Sequence, residues 1–206
     1  MQPSLRAGIA IYNAGEYHAA HDAWEDHWLD LEEGTEDEQF LHGLIQFTAA
    51  IYHARNRNWS GATGLAESAQ EYLAGLPETY HGVHIENVRS YLARLACDPA
   101  MIERRRPLQI TYEGQPLSLD DLDFEETAIA AHVLAEEHGY DEGLIDHVIT
   151  YAEADLEDDT QNPFVPLVFD FVREPANRPI IAQRMAEHAE RRQAKADDVA
   201  GLFDPG

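Results

Sequence analysis

Residues 36–55 constrain the fold more than any other stretch of this chain. One helical stripe there is Phe40, Leu44, Phe47 and Ile51, and a second is Leu41, Ile45 and Tyr52. A helix that is apolar over most of its circumference has to be surrounded, because each apolar face left in water costs free energy. The segment therefore predicts a central, buried helix with other helices packed around it. Its start is marked as well. Thr35 is a capping residue, and Glu38 completes a capping box.

The neighbouring segments supply the partners. Residues 3–14 place Leu5, Ile9 and Tyr12 on one face before Gly15. Residues 16–33 carry Tyr17, Ala20, His21, Trp24, Trp28 and Leu31 as a helical stripe that Gly34 ends. Further helices are predicted over 58–76 and 83–96, with Pro99 closing the second. The turn at Asn13–Tyr17–Ala20 is echoed at Asn56–Trp59–Ala62, an aromatic followed by alanine, as in helix-turn-helix repeats.

Residues 98–120 change character. Arg104-Arg105-Arg106-Pro107 is followed by Leu108, Ile110 and Tyr112 in alternation, then Gly114 and Pro116. That pattern reads as a linker with a short extended segment or hairpin. Helical periodicity resumes over 123–138, opened by an Asp123/Glu126 capping box, and over 141–156. Asn162 reads as the cap of another helix, with Pro163 at its first position. A last helix starts near Asn177, loses its apolar period after Met185, and is expected to end in a solvated tail. The expectation is an all-α protein: an N-terminal bundle over 1–97, a linker over 98–120 and a helical C-terminal region over 121–206.

Charge narrows the setting. The chain has 39 acidic and 14 basic residues, a formal net charge of -25, and Lys195 is its sole lysine. Such a charge repels itself in dilute buffer. Molar salt shortens the screening length to about 3 Å and removes that repulsion. The composition therefore points to a salt-rich cytoplasm, as in salt-loving archaea. It argues against nucleic acid and anionic membranes as partners. No apolar run reaches transmembrane length, and the first residues lack a signal-peptide pattern, so a cytoplasmic location is expected. Cys97 is the sole cysteine and reads as a small core residue beside Leu92 and Leu95.

Three motifs carry a family resemblance. They are Asn13-Ala-Gly-Glu-Tyr-His-Ala-Ala-His21-Asp-Ala-Trp-Glu25-Asp-His-Trp28, Phe40-Leu-His-Gly43-Leu-Ile-Gln46 running on to His53, and Asn58-Trp-Ser-Gly61-Ala62. Over about residues 5–76 the chain resembles the domain of unknown function numbered 309. The resemblance implies an all-α bundle with no established activity. Asp22 stands where that family usually has Glu, a carboxylate with shorter reach.

On a helical wheel, His21 falls inside the apolar stripe of its segment, Glu25 at the margin, and His18 and Asp22 just beyond. Gln46 and His53, with His42, align along one side of the next helix, where Gly43 and Ala50 permit close approach. If those helices pack antiparallel, the polar stripes meet. His18, His21, Asp22, Glu25, Gln46 and His53 are thus the candidate site. One reading is a buried hydrogen-bonded network inside an interaction or scaffold module, with a protein partner or a homo-oligomer. The other is a metal-assisted or acid/base enzyme, with His21 and Glu25 as ligands to a divalent cation. The first predicts an exposed apolar patch, for which Phe164–Val172 is the candidate; the second predicts an open pocket. The Arg104–Arg106 run is expected to pair with nearby carboxylates. The acidic run at 153–159, which lacks calcium-loop spacing, is expected to be a solvated face.

Overall fold

A computed structural model describes residues 1–158 and 163–202, the last seven of these (196–202) as backbone alone. The protein is predominantly all-α, as the periodicity predicts. The chain divides into two compact units, Met1–Ile129 and Ala130–Gly206.

In the first unit, α1 (Gln2–Ala14), α2 (Tyr17–Leu29), α3 (Glu36–Arg55), α4 (Trp59–Leu73) and α5 (Ile85–Cys97) follow in order. α3 packs against α2 and α4, and α2 also packs on α1. Phe40, Leu41, Leu44, Phe47 and Ile51 of α3 are fully buried, so the central position follows from its two apolar stripes. Tyr52 departs from this. It is exposed, and its ring lies 5.8 Å from that of His18.

Close packing depends on missing side chains. A Cβ on Gly8 would come 2.1 Å from the indole nitrogen of the fully buried Trp24. Trp24 therefore lies directly on the α1 backbone, where its N–H donates to the Leu5 carbonyl at 3.3 Å. Gly43 gives Leu73 the same room between α3 and α4.

α2 ends at Leu29, earlier than its stripe predicts. The Leu31 N–H bonds back to the Trp28 carbonyl at 3.1 Å, which closes the helix and takes Leu31 out of it. Thr35 caps α3 as predicted, accepting from the Glu38 N–H. The reciprocal half of the capping box is replaced, because the Glu38 carboxylate accepts from Gly34 N–H and from Trp28 instead. Cys97 is exposed rather than buried, because it sits at the last turn of α5.

Residues 98–120 are folded against the first unit rather than strung as a linker. The side chain of Asn13 clamps them: its amide donates to the carbonyls of Ile110 and Leu117, and its oxygen accepts from Ile110 N–H, each at 2.9 Å. Two hairpins form one antiparallel sheet in the order β1 (Thr79–Tyr80), β2 (Val83–His84), β3 (Thr111–Tyr112), β4 (Gln115–Pro116). Each hairpin turns on two residues with positive φ, His81-Gly82 and Glu113-Gly114, the geometry that matches strand twist. The hairpin at 111–116 is the predicted one. The first strand pair is not legible, since two-residue strands carry no periodicity.

The division between units falls within α6 (Phe124–His138), which opens with the predicted capping box. Glu126 N–H donates to Asp123 at 3.0 Å, and Asp123 N–H donates to Glu126 at 3.1 Å. In the second unit α8 (Phe164–Arg173) packs with α7 (Glu142–Glu157) and α9 (Arg178–Leu202). Phe164, Leu167, Val168, Phe171 and Val172 are buried there, so the predicted exposed apolar patch is core. Pro163 sits at the cap of α8, one position before the predicted one, and Asn162 lies outside the described residues. The acidic run is not wholly a solvated face. Asp155 is buried and takes Arg192 at 2.7 Å; Asp159 lies outside the described residues. α9 continues beyond Met185 because polar contacts replace apolar ones: Arg192 reaches Asp155, and Gln193 accepts from Tyr151.

Two glycine substitutions should move stability in opposite directions. Gly8→Ala drives a methyl into a rigid indole and is expected to cost about 1–3 kcal/mol. Gly64→Ala, on an exposed turn of α4 with nothing within 4 Å, should add about 0.5–1 kcal/mol. Denaturant midpoints measured in molar salt check both; a tolerated Gly8→Ala contradicts the packing described here.

Candidate functional site

α2 carries the first group of polar side chains. The His21 Nδ1 lies 3.0 Å from Asp22 Oδ1, and its Nε2 lies 3.8 Å from Glu25 Oε1. His18 approaches the other Asp22 oxygen at 3.4 Å. One ligand atom each from His21, Asp22 and Glu25 falls within 4.8 Å of the others. A transition metal with bonds of about 2.0–2.2 Å needs its ligands closer than that. None of the three is enclosed; the His21 side chain is 29% exposed and that of Glu25 43%. The hydrogen bond to Asp22 raises the His21 pKa, burial opposes it, and the charges of Asp22 and Glu25 add to the rise.

A second group sits on α3 and is better buried. The Trp28 indole N–H donates to Glu38 Oε1 at 2.9 Å, and His42 Nδ1 lies 3.2 Å from the same oxygen. Gln46 Nε2 meets His42 Nε2 at 3.2 Å. A proton on Nδ1 serves Glu38 and leaves the Nε2 lone pair for the Gln46 amide. The imidazole is also held by its faces, stacked on Tyr72 at 3.8 Å and tilted against Trp28 at 4.6 Å. Burial would raise the Glu38 pKa, but hydrogen bonds from Trp28, Gly34 and His42 outweigh it and hold it below the ordinary value. A cleft of about 410 Å³ opens beside this network, lined by Trp28, Leu31, Glu38, His42 and Tyr72 among others.

The candidate residues therefore separate. His18, His21, Asp22 and Glu25 come together on α2. Gln46 joins His42 and Glu38. His53 pairs with Asn58, which is 2.8 Å away and caps α4. Neither Glu38 nor Tyr72 is among the candidates that the sequence pattern offers. Glu38 was read as a capping residue, and Tyr72 belongs to a later helix that no local pattern connects to His42. Elsewhere His81 and the Tyr80 hydroxyl both bind Asp37 at 2.7 Å and lower its pKa.

Fold and site define an all-α protein whose N-terminal helices carry a histidine–carboxylate cluster beside a buried polar network. Residues 5–65 match the model of the family described as Domain of unknown function (DUF309). The match spans α1 to α3 and the start of α4, and it contains every residue of the α2 cluster. No curated protein matches the chain.

The Glu38 network carries a pH signature. Its carboxyl is held below the ordinary 4.5, so its contribution is present above that value and lost as pH falls through the depressed one. Glu38→Gln should lower stability by about 1 kcal/mol at neutral pH, the difference between hydrogen bonds to charged and neutral acceptors. Unfolding free energies of wild type and variant should converge in acid. Parallel curves would show that the carboxylate contributes nothing through its charge.

Proposed function

We propose that the N-terminal unit is a helical binding module that holds a divalent cation on α2 through His21, Asp22 and Glu25. The observation that carries this reading is the convergence of one imidazole and two carboxylates, partly open to solvent, with one ligand atom of each within 4.8 Å of the others. A nitrogen and two oxygens suit zinc, manganese or iron(II), and an incomplete protein shell leaves positions for water or substrate. A metal bound there would supply Lewis acidity or a lowered-pKa water.

The α3 network has a different role in this reading. Both nitrogens of His42 are engaged and both ring faces are packed, so it sets the position of Trp28 and hence of α2. The interaction-module reading loses one candidate surface, because the α8 apolar face is buried.

Metal content tests the proposal. Protein prepared in molar salt without a tag or chelator should carry one transition-metal ion per chain. His21→Ala/Glu25→Ala should lose it while keeping its helical signal. Affinity should fall by more than the roughly 10–100-fold that loss of an outer-shell partner costs. A metal-free wild type that takes up no added zinc, manganese or iron(II), with a variant that is merely less stable, would leave the α2 cluster structural.

A further inference from the structure

A second cleft in the N-terminal unit has the opposite chemistry. It encloses about 810 Å³ between the α1–α2 turn and the chain around Pro107, with Tyr12, Tyr17, Arg55, Arg106 and Gln109 on its walls. No aspartate or glutamate lines it, although 39 of the 206 residues are acidic. The cleft at Trp28 carries Glu33 and Glu38, that at Cys97 carries Asp98, and that at Tyr151 carries Glu190. Glu16 stands between the lining residues Gly15 and Tyr17 but is not itself on the wall.

The arginines in this cleft are also set apart. Nearby Arg57 pairs with Glu103 at 2.9 Å, and Arg104 pairs with Asp98. Among the described residues Arg55 and Arg106 make no ion pair, so only the first member of the Arg104–Arg106 run behaves as the sequence predicts. The Arg55 guanidinium lies 5.4 Å from the centre of the Tyr17 ring. Two arginines without carboxylate partners, in a chain with so many carboxylates, present their planar donor forks to an outside oxyanion.

The walls are fixed in advance. Asn13 clamps Ile110, and the Tyr12 hydroxyl donates to the Leu108 carbonyl at 2.7 Å. Tyr91, only 4% exposed, keeps a buried hydroxyl with no hydrogen-bond partner among the described residues.

We infer that this cleft binds a small organic phosphate, with Arg55 and Arg106 on the phosphate and the Tyr17 side packing its organic part. The volume suits a ligand larger than phosphate alone. The net charge of -25 does not forbid an anion in molar salt, where its field decays within about 3 Å and direct contacts decide. The site is separate from the α2 cation cluster and stands or falls independently of it.

Phenyl phosphate is the probe, with benzoate as the carboxylate counterpart, titrated into the full chain in molar potassium chloride. Calorimetry and ³¹P line broadening should show saturable binding at one site. Arg55→Gln and Arg106→Gln should each weaken it about tenfold or more, and Arg104→Gln should leave it unchanged. Circular dichroism checks the fold; if Arg55→Gln unfolds the chain, the exposed Arg106 decides alone. Absence of saturable binding, or full binding in a folded Arg106→Gln, overturns the proposal. Benzoate binding as tightly as phenyl phosphate overturns the phosphate assignment.

Discussion

The burial of α3 on two sides is the constraint on which the N-terminal unit depends. A helix with Phe40, Leu44, Phe47 and Ile51 on one stripe and Leu41 and Ile45 on another cannot be left at a surface. α2 and α4 have to cover it, and α1 then covers the indole of Trp24. The polar residues of α3 occupy the narrow arc that remains. Glu38, His42 and Gln46 lie one turn apart along it, and each bonds the next, with the Gln46 Oε1 left buried without a partner among the described residues. The network is therefore a consequence of the packing: a polar arc at a helix contact has to be hydrogen-bonded, or its desolvation is uncompensated.

Charge placement adds a second layer. On a chain with so few cations, each pairing carries information. Arg6 is spent on Glu126, Arg192 on Asp155, and Arg89 on Glu86 and the carbonyls of Leu73 and Leu76. Those contacts hold segments together. The α2 cluster gathers carboxylates around histidine, while none lines the Arg55–Arg106 cleft. Both belong to the same unit, and Tyr17 and His21 stand one helical turn apart on α2.

Much of this architecture was legible before the structure. The apolar periodicity of α1 and α3, the Thr35 cap and the Asp123/Glu126 box are local signals, and each appears where the residues place it. What failed was long-range. The exposure of Cys97 depends on which face of α5 is covered, and the burial of α8 depends on α7 and α9. The predicted meeting of the two polar stripes gave way to two groups, because Gln46 turns to His42 along its own helix. Tyr72 and Asp37 found histidine partners through tertiary contacts that no spacing rule encodes.

The central claim is that α2 selects a cation rather than sharing in a diffuse acidic surface. The most direct measurement is paramagnetic broadening of histidine ring resonances by substoichiometric manganese(II) in molar salt. The account predicts that His21 broadens first, His18 with it, while His42, engaged at both ring nitrogens, stays sharp. Broadening spread evenly over the exposed histidines, or none at His21, would contradict it and leave the α2 cluster as surface charge.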